Sequence, residues 1–196
     1  LVSRKETDVR IEATIQGVTP LLMNRFCEQN EIKISSGTSA AMVGKKDSPR
    51  EEATRRAYVD DKGGLYVPGP NVFACLVAAG KFHKVAKSKV TTTRSSLVPA
   101  GITIQDIVCP LGTKSFEVDS RSVVIPSTGG RIMCHRPRID DWKLTFTLEV
   151  DTSIFSPEFV RQLVDDAGSK IGLGDFRPDR RGPFGRFKVV AWREAS

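Results

Sequence analysis

No uninterrupted apolar run in the 196 residues approaches the roughly 20 needed to cross a bilayer, so no membrane partner is expected. The first residues, Leu1-Val2-Ser3-Arg4-Lys5-Glu6, hold no apolar signal core, and a cytoplasmic protein is the expectation. Histidine is scarce: His83 and His135 stand far apart. The four cysteines, Cys27, Cys75, Cys109 and Cys134, form no C-x-x-C pair, whereas a structural zinc site needs four clustered ligands. Reduced thiols are expected, with Cys75 inside an apolar helix. No Ser-His-Asp order and no metal-ligand spacing stands out, so no catalytic residue, metal or cofactor is assigned. At 39% apolar and 27% charged residues, a wholly disordered or collagen-like chain is excluded.

Acidic residues are absent from one long stretch. Between Asp61 and Asp106 there is none, while Lys62, Lys81, Lys84, Lys87, Lys89 and Arg94 lie there, with His83 among them. A second basic cluster is Arg131, Arg136 and Arg138. A third is Arg177, Arg180, Arg181, Arg186 and Lys188, diluted by Asp175 and Asp179. Lys plus Arg total 30 against 23 Asp plus Glu, a net charge of +7. That excess suits a polyanion partner, and equally a solvated basic surface.

The apolar pattern predicts an α+β domain. Residues 8–16 alternate, with Val9, Ile11, Ala13 and Ile15 on one face, as a half-buried strand does. Residues 142–150 alternate again through Trp142, Leu144, Phe146, Leu148 and Val150. Pro70 opens a helix whose apolar face is Val72, Phe73, Leu76 and Val77. Ser156 caps a second, with Val160, Leu163, Val164 and Ala167 buried and Gly168 closing it. Pro49 to Tyr58 reads as a short polar helix capped by Ser48. Residues 64–68, 101–110, 115–126 and 187–192 read as strands, and Ser127-Thr128-Gly129-Gly130 as a hairpin turn. One domain over 1–196 is expected, with insertions at about 24–57 and 81–97 and a β-hairpin at about 115–136. The 81–97 segment lacks a buried stripe and should project. Without the insertions the order is β-α-β-β-α-β, the ferredoxin-like or RNA-recognition arrangement.

Two segments carry the functional signal. Gly172-Leu173-Gly174-Asp175-Phe176-Arg177-Pro178-Asp179-Arg180-Arg181-Gly182-Pro183-Phe184-Gly185-Arg186 lacks the Gly-Lys-Ser/Thr of a P-loop and precedes a strand. Its exposed N–H groups would form an anion nest, its arginines would add phosphate contacts, and Phe184 would stack on a base. A tight connection with Asp175 and Asp179 paired to arginines is the structural alternative. The other segment, Asp60 to Leu76, feeds a strand into a helix N-terminus, which favours anions; plain architecture explains it as well.

Together these segments resemble the RAMP superfamily, the RNA-binding proteins of CRISPR-Cas effector complexes. Asp60 to Leu76 resembles its acidic turn and aromatic-I-P-G-S-S-like run, with Pro70-Asn71 in place of the serine pair. Gly172 to Gly185 resembles its glycine-rich loop after the second helix. Thr19 to Phe26 lacks the glycine-rich run usual after the first strand. The resemblance implies a non-catalytic backbone subunit, stacked in several copies along a single-stranded guide RNA beside other effector subunits, with target nucleic acid as a further partner. It implies Asn24 and Arg25, and the insertion carrying Lys81, His83, Lys84, Lys87, Lys89 and Arg94, as RNA contacts. Arg131, Arg136, Arg177, Arg180, Arg181, Phe184 and Arg186 complete the candidate set. Relatives that cleave RNA use an aspartate after the first strand or a histidine; Glu28, Glu31, Asp47, His83 and His135 have no matching context, so a binding subunit is favoured over a ribonuclease. A phage or mobile-element single-stranded DNA-binding protein on the same topology is the other alternative.

Overall fold

A strand of alternating apolar residues needs partners on both edges and a cover on one face, and Asp8–Gly17 (β1) has all three. The computed structural model describes residues 8–26, 48–124 and 129–195. Within them the fold is α+β with antiparallel sheets. β1 pairs with Lys143–Asp151 (β10) and with Phe187–Ala195 (β11), and β10 pairs in turn with Ile102–Ile104 (β6). The sheet order is β11-β1-β10-β6. Ile11, Ala13 and Ile15 stand opposite Leu148, Phe146 and Leu144, so the apolar faces coincide. A register shift at Thr14/Ile15 keeps Trp192 and Val189 on that same face of β11.

Two helices cover it. Gly69–Ala79 buries Val72, Cys75, Leu76 and Ala79; Pro157–Asp166 buries Val160, Leu163 and Val164. The longer run of apolar residues on the first shifts its buried stripe to include Cys75 and Ala79, leaving Phe73 and Val77 partly buried. The second starts at Ser156, whose Oγ accepts the Phe159 N–H at 3.2 Å. It does not stop at Gly168. The chain continues through a wide turn, Ala167–Ile171, and ends at Gly172, whose φ of +78° is the left-handed value a glycine tolerates. Gly168 is instead a close-approach site, where a Cβ would lie 2.3 Å from the Phe187 carbonyl oxygen.

The other sheet face is open. Arg10, Glu12, Thr14 and Gln16 of β1 lie beside Lys143, Thr145, Thr147 and Glu149 of β10, and Thr14 and Thr145 share a hydroxyl bond of 2.9 Å. These two strands present no aromatic ring there.

The remaining elements build one flank. Leu21–Leu22 (β2), Arg131–Ile139 (β9) and Glu117–Val124 (β8) form a second sheet in the order β2-β9-β8. β8 and β9 pair antiparallel from Glu117 opposite Arg138 to Val124 opposite Arg131; residues 125–128, with half of the expected turn, lie outside the described residues. Pro49–Arg55 (α1) packs on β9, held at its start by a reciprocal Ser48–Glu51 capping box. Cys27, Glu28, Glu31 and Asp47 lie outside the described residues. Tyr66–Pro68 (β3) pairs with Val108–Pro110 (β7), and the helix of Gly69–Ala79 (α2) follows directly.

The 81–97 segment departs from the expectation of a segment with no buried stripe. Lys84–Val85 (β4) and Ser88–Lys89 (β5) form a small hairpin. Val90 is 2% exposed, and its N–H donates to the His83 carbonyl at 3.0 Å while Thr91 N–H donates to Gly80. Val90, with Val85 partly buried beside the core, anchors a ribbon whose lysines stay outside. A short helix, Val98–Gly101 (α3), then leads into β6; the Pro157–Asp166 helix is α4. Among the described residues no helix is long and apolar enough to cross a membrane.

Candidate nucleic-acid interface

The two segments singled out in the sequence face each other across one cleft of about 220 Å³. Asn71, Ala74 and Cys75 of α2 form one wall, Gly172 to Asp175 with Arg177 the other, and Asn24 and Tyr58 close the ends. Cys75 joins the walls: its Sγ donates to the Gly172 carbonyl at 3.3 Å. Burial pushes that thiol up to about 12, so it stays protonated and serves as a donor.

The glycine-rich loop is not an open anion nest. The Leu173 N–H donates to Gly185, Asp175 to Leu22, Gly182 to Arg177, and Gly185 to Pro20, at 2.8–2.9 Å. Phe176 N–H donates to its neighbour Asp175 Oδ1 at 2.8 Å, and Arg186 N–H to Thr19 Oγ1 at 2.9 Å. Backbone donors engaged this way have no capacity for a ligand. Of the loop residues that line the cleft, Gly174 and Arg177 keep a backbone N–H without a partner among the described residues, so a phosphate at this loop would be met chiefly by side chains. Gly185 has φ +71°, and a Cβ there would lie 1.8 Å from the Leu173 carbonyl oxygen, so the loop needs glycine for the close crossing of its own two limbs.

Asp175 holds the flank together. Its Oδ2 accepts Arg136 Nη1 at 2.6 Å and Asn24 Nδ2 at 3.0 Å. Asn24 Oδ1 in turn accepts Arg56 Nη1 at 3.1 Å, and Arg56 Nη2 pairs with Glu52 at 2.8 Å. Arg136 is 4% exposed, and its Nε has no hydrogen-bond partner among the described residues. Arg136 and Asn24 thus tie the loop to β9 through Asp175, whereas the nearest partner of Asp179 is Lys81 rather than an arginine.

The other candidates divide by exposure. Lys84, Lys87, Lys89, Arg94, Arg131, Arg180 and Arg181 are exposed and form no ion pair among the described residues; Arg25 is exposed as well. Lys81 pairs with Asp179 at 2.8 Å, and that donor holds the Asp179 carboxyl below its ordinary range. Arg177 donates to the Gly174 carbonyl at 2.9 Å and keeps its other nitrogen 3.9 Å from Asp179. Arg186 donates to the Ser169 carbonyl. Phe184 is 8% exposed, with Arg121 over its ring at 4.9 Å and Phe176 at 6.1 Å, so in this arrangement it is a packed ring rather than an open stacking platform. Phe184 thus packs between Phe176 of its own loop and Arg121 of β8.

His83 lies edge-on to Phe159 at 5.3 Å, its Nε2 3.1 Å from Asp166, a carboxylate that Lys170 also holds at 2.6 Å. His135 Nδ1 meets Ser120 Oγ at 2.7 Å. Asp60 accepts the Lys62 and Gly64 N–H groups at 2.9 and 2.7 Å, an Asx turn. Among the described residues no three His, Cys, Asp or Glu side chains group to hold a metal. Sequence reasoning missed Arg56, Tyr58 and Arg121. Arg121 comes to the site on β8, and Arg56 reaches it through Asn24 and Cys134, while Tyr58 is placed by its pairing with Tyr66; none of these long-range contacts shows in a local pattern.

No family model and no curated protein sequence matches this chain. Among solved structures it is similar to a chain of the cryo-EM structure of Type III-B Cmr-beta bound to cognate target RNA. The TM-score is 0.54 at 9% sequence identity, over 97% of this chain and 61% of the other. That is a likeness of fold, and the chain spans only 61% of the matched chain's length.

Proposed function

We infer that the chain is a non-catalytic, single-stranded RNA-binding subunit of a CRISPR-Cas effector complex, a RAMP-type protein on a ferredoxin-like core. The sheet order β11-β1-β10-β6 with α2 and α4 on one face supports the ferredoxin-like reading. The likeness to a chain of a target-RNA-bound Cmr-beta assembly supports the effector reading. The observation that carries the function is the cleft between α2 and the glycine-rich loop, flanked by exposed Arg180 and Arg181 and by Arg177.

RNA-recognition proteins that use the sheet stack bases on aromatic side chains. The open face of β1 and β10 has no aromatic ring and carries Glu12 and Glu149, so RNA is directed to the cleft side instead. Exposed lysines of the β4–β5 ribbon extend the basic surface and give phosphate contacts without sequence preference. In the effector, copies would stack along a guide RNA in the cytoplasm beside other subunits. The test is a salt titration with single-stranded RNA and single-stranded DNA, followed by sedimentation on RNAs of increasing length. Affinity should fall steeply with salt, and copy number should rise in steps. No binding at low salt removes the RNA reading, and one copy on every length removes the stacking.

A further inference from the structure

The cleft is built for a base rather than a phosphate. Besides Ala74, Cys75 and Arg177, its lining residues are Tyr58, Asn24, Asn71, Gly172 to Gly174 and Asp175, which bring a ring, two amides, peptide groups and one carboxylate to its walls. A phosphate placed among them would face that carboxylate and find the N–H groups of Gly172, Leu173 and Asp175 already engaged, with only those of Gly174 and Arg177 left on the lining. Arg177 is the one cation on the lining, and it donates to Gly174 at the rim. The volume of about 220 Å³ is below the roughly 300–1,000 Å³ of pockets that enclose drug-sized ligands. One unstacked base fits such a space; a stacked run does not.

Two side chains there are uncommitted in the way a base reader must be. Asn71 is exposed on the first turn of α2, and its amide has no hydrogen-bond partner among the described residues. It therefore offers one donor and one acceptor side by side, the pair that matches N6 and N7 of adenine. Tyr58 is half-buried and braced by Tyr66 at 5.8 Å, which fixes its ring as a wall. Asn24 is different: both ends of its amide are held, by Asp175 and Arg56, so it shapes the cleft and reads nothing.

We propose that this cleft receives a single unstacked adenine of the bound RNA, stacked against Tyr58 and read by the Asn71 amide, with Arg177 meeting the phosphate of the same nucleotide. This rests on the RNA-binding reading. It makes Asn71 a specificity residue in a surface that otherwise binds backbone.

The experiment compares oligoadenylate with oligouridylate of equal length by fluorescence anisotropy, for the parent, Asn71→Ala, Tyr58→Ala and Tyr58→Phe. Taking the ratio of the two affinities and comparing it between proteins cancels the stacking of the free RNAs. The parent should prefer oligoadenylate. Asn71→Ala should reduce that preference by roughly 5- to 150-fold, the worth of one bidentate pair, with an unchanged melting temperature. Tyr58→Ala should weaken both RNAs by roughly 5- to 150-fold, as loss of one stacking ring does, and Tyr58→Phe should stay within about twofold of the parent. If both RNAs bind and Asn71→Ala leaves the ratio unchanged, the adenine pocket is wrong while RNA binding stands. A preference for oligouridylate also overturns the pocket. If neither RNA binds, the RNA-binding reading falls and takes this proposal with it.

Discussion

Asp175→Ala tests whether the flank of the cleft is held as described. The carboxylate accepts from Arg136 at 2.6 Å and Asn24 at 3.0 Å. Asn24 is exposed and rehydrates when its partner is removed. Arg136 does not, because its side chain is 5% exposed and its Nε already lacks a partner among the described residues. Breaking a buried ion pair by removing one member typically costs about 3–5 kcal/mol, since the other charge stays desolvated. Asp175 itself is 30% exposed, so the lower end applies, about 3 kcal/mol. For a chain of this size that lowers the melting temperature by roughly 6–12 °C. The control is Asp179→Ala, whose partner Lys81 is 45% exposed; a surface pair is worth at most about 1 kcal/mol. Urea denaturation of both variants measures the difference, and the slope of each transition checks that the unfolded state is unchanged. Adding Arg136→Met to Asp175→Ala removes the stranded charge and should recover at least half of the loss. Equal, small losses for the two aspartates would refute the argument, as would a double variant no more stable than Asp175→Ala.

Other expectations follow from single sites. Lys84, Lys87 and Lys89 changed together to alanine should leave the melting temperature nearly unchanged, because all three are exposed; RNA affinity should drop and its salt slope should shallow by up to about three units. If that triple variant unfolds, the ribbon is structural, and if it binds RNA as before, the phosphate contacts lie at Arg180 and Arg181. In a Cys27→Ser background the native protein should react with a thiol reagent at pH 8 far more slowly than the unfolded one, since burial pushes Cys75 up to about 12 and Cys109 up to about 11 and raises Cys134 as well. Gly185→Ala should cost well over the roughly 1–2 kcal/mol of left-handed backbone strain, because its Cβ also strikes the Leu173 carbonyl; Gly112→Ala, at φ +70° with open space around it, should cost only the strain. Asp179 should titrate below its ordinary 3.8, the Lys81 donor being the main cause. A depressed folded value means the contact stabilises fully above the unfolded value and is lost as pH falls through the folded one, so the stabilities of Lys81→Ala and the parent should begin to converge only below 3.8 and coincide once the pH is below the folded value.

The strands and helices of the central sheet were legible because their residues face one core at a fixed period: Ile11, Ala13 and Ile15 in β1, Leu144 to Val150 in β10, and Val160, Leu163 and Val164 in α4 all carry it. Proline marked both helix starts for steric reasons, and at α4 the Ser156 cap added a hydrogen-bonding one. The end of α4 was not legible, because Gly168 and Gly172 look alike in sequence and only packing against Phe187 separates close approach from left-handed geometry. The site was legible as two segments but not as a cleft. The roles of Arg136, Phe184 and Val90 depend on contacts with β8, β9 and Gly80, which no local pattern encodes. The expected nest is largely closed for the same reason: φ values allow open N–H groups, but Pro20, Leu22 and the loop's own limbs claim most of them.

Those internal bonds give the glycine-rich loop a kinetic consequence. A loop of free N–H groups would have to settle around its ligand, at about 1–2 kcal/mol for each residue fixed. Here Leu173, Asp175, Gly182 and Gly185 are already tied to the chain around them, so that ordering belongs to folding and not to association. If the chain binds RNA as proposed, a rigid receptor of this kind would meet it at a rate set by electrostatic steering and by unstacking of the RNA itself. Changes in the loop's lashings at Pro20 and Leu22, remote from any base, would then surface as slower capture of RNA and not only as faster release.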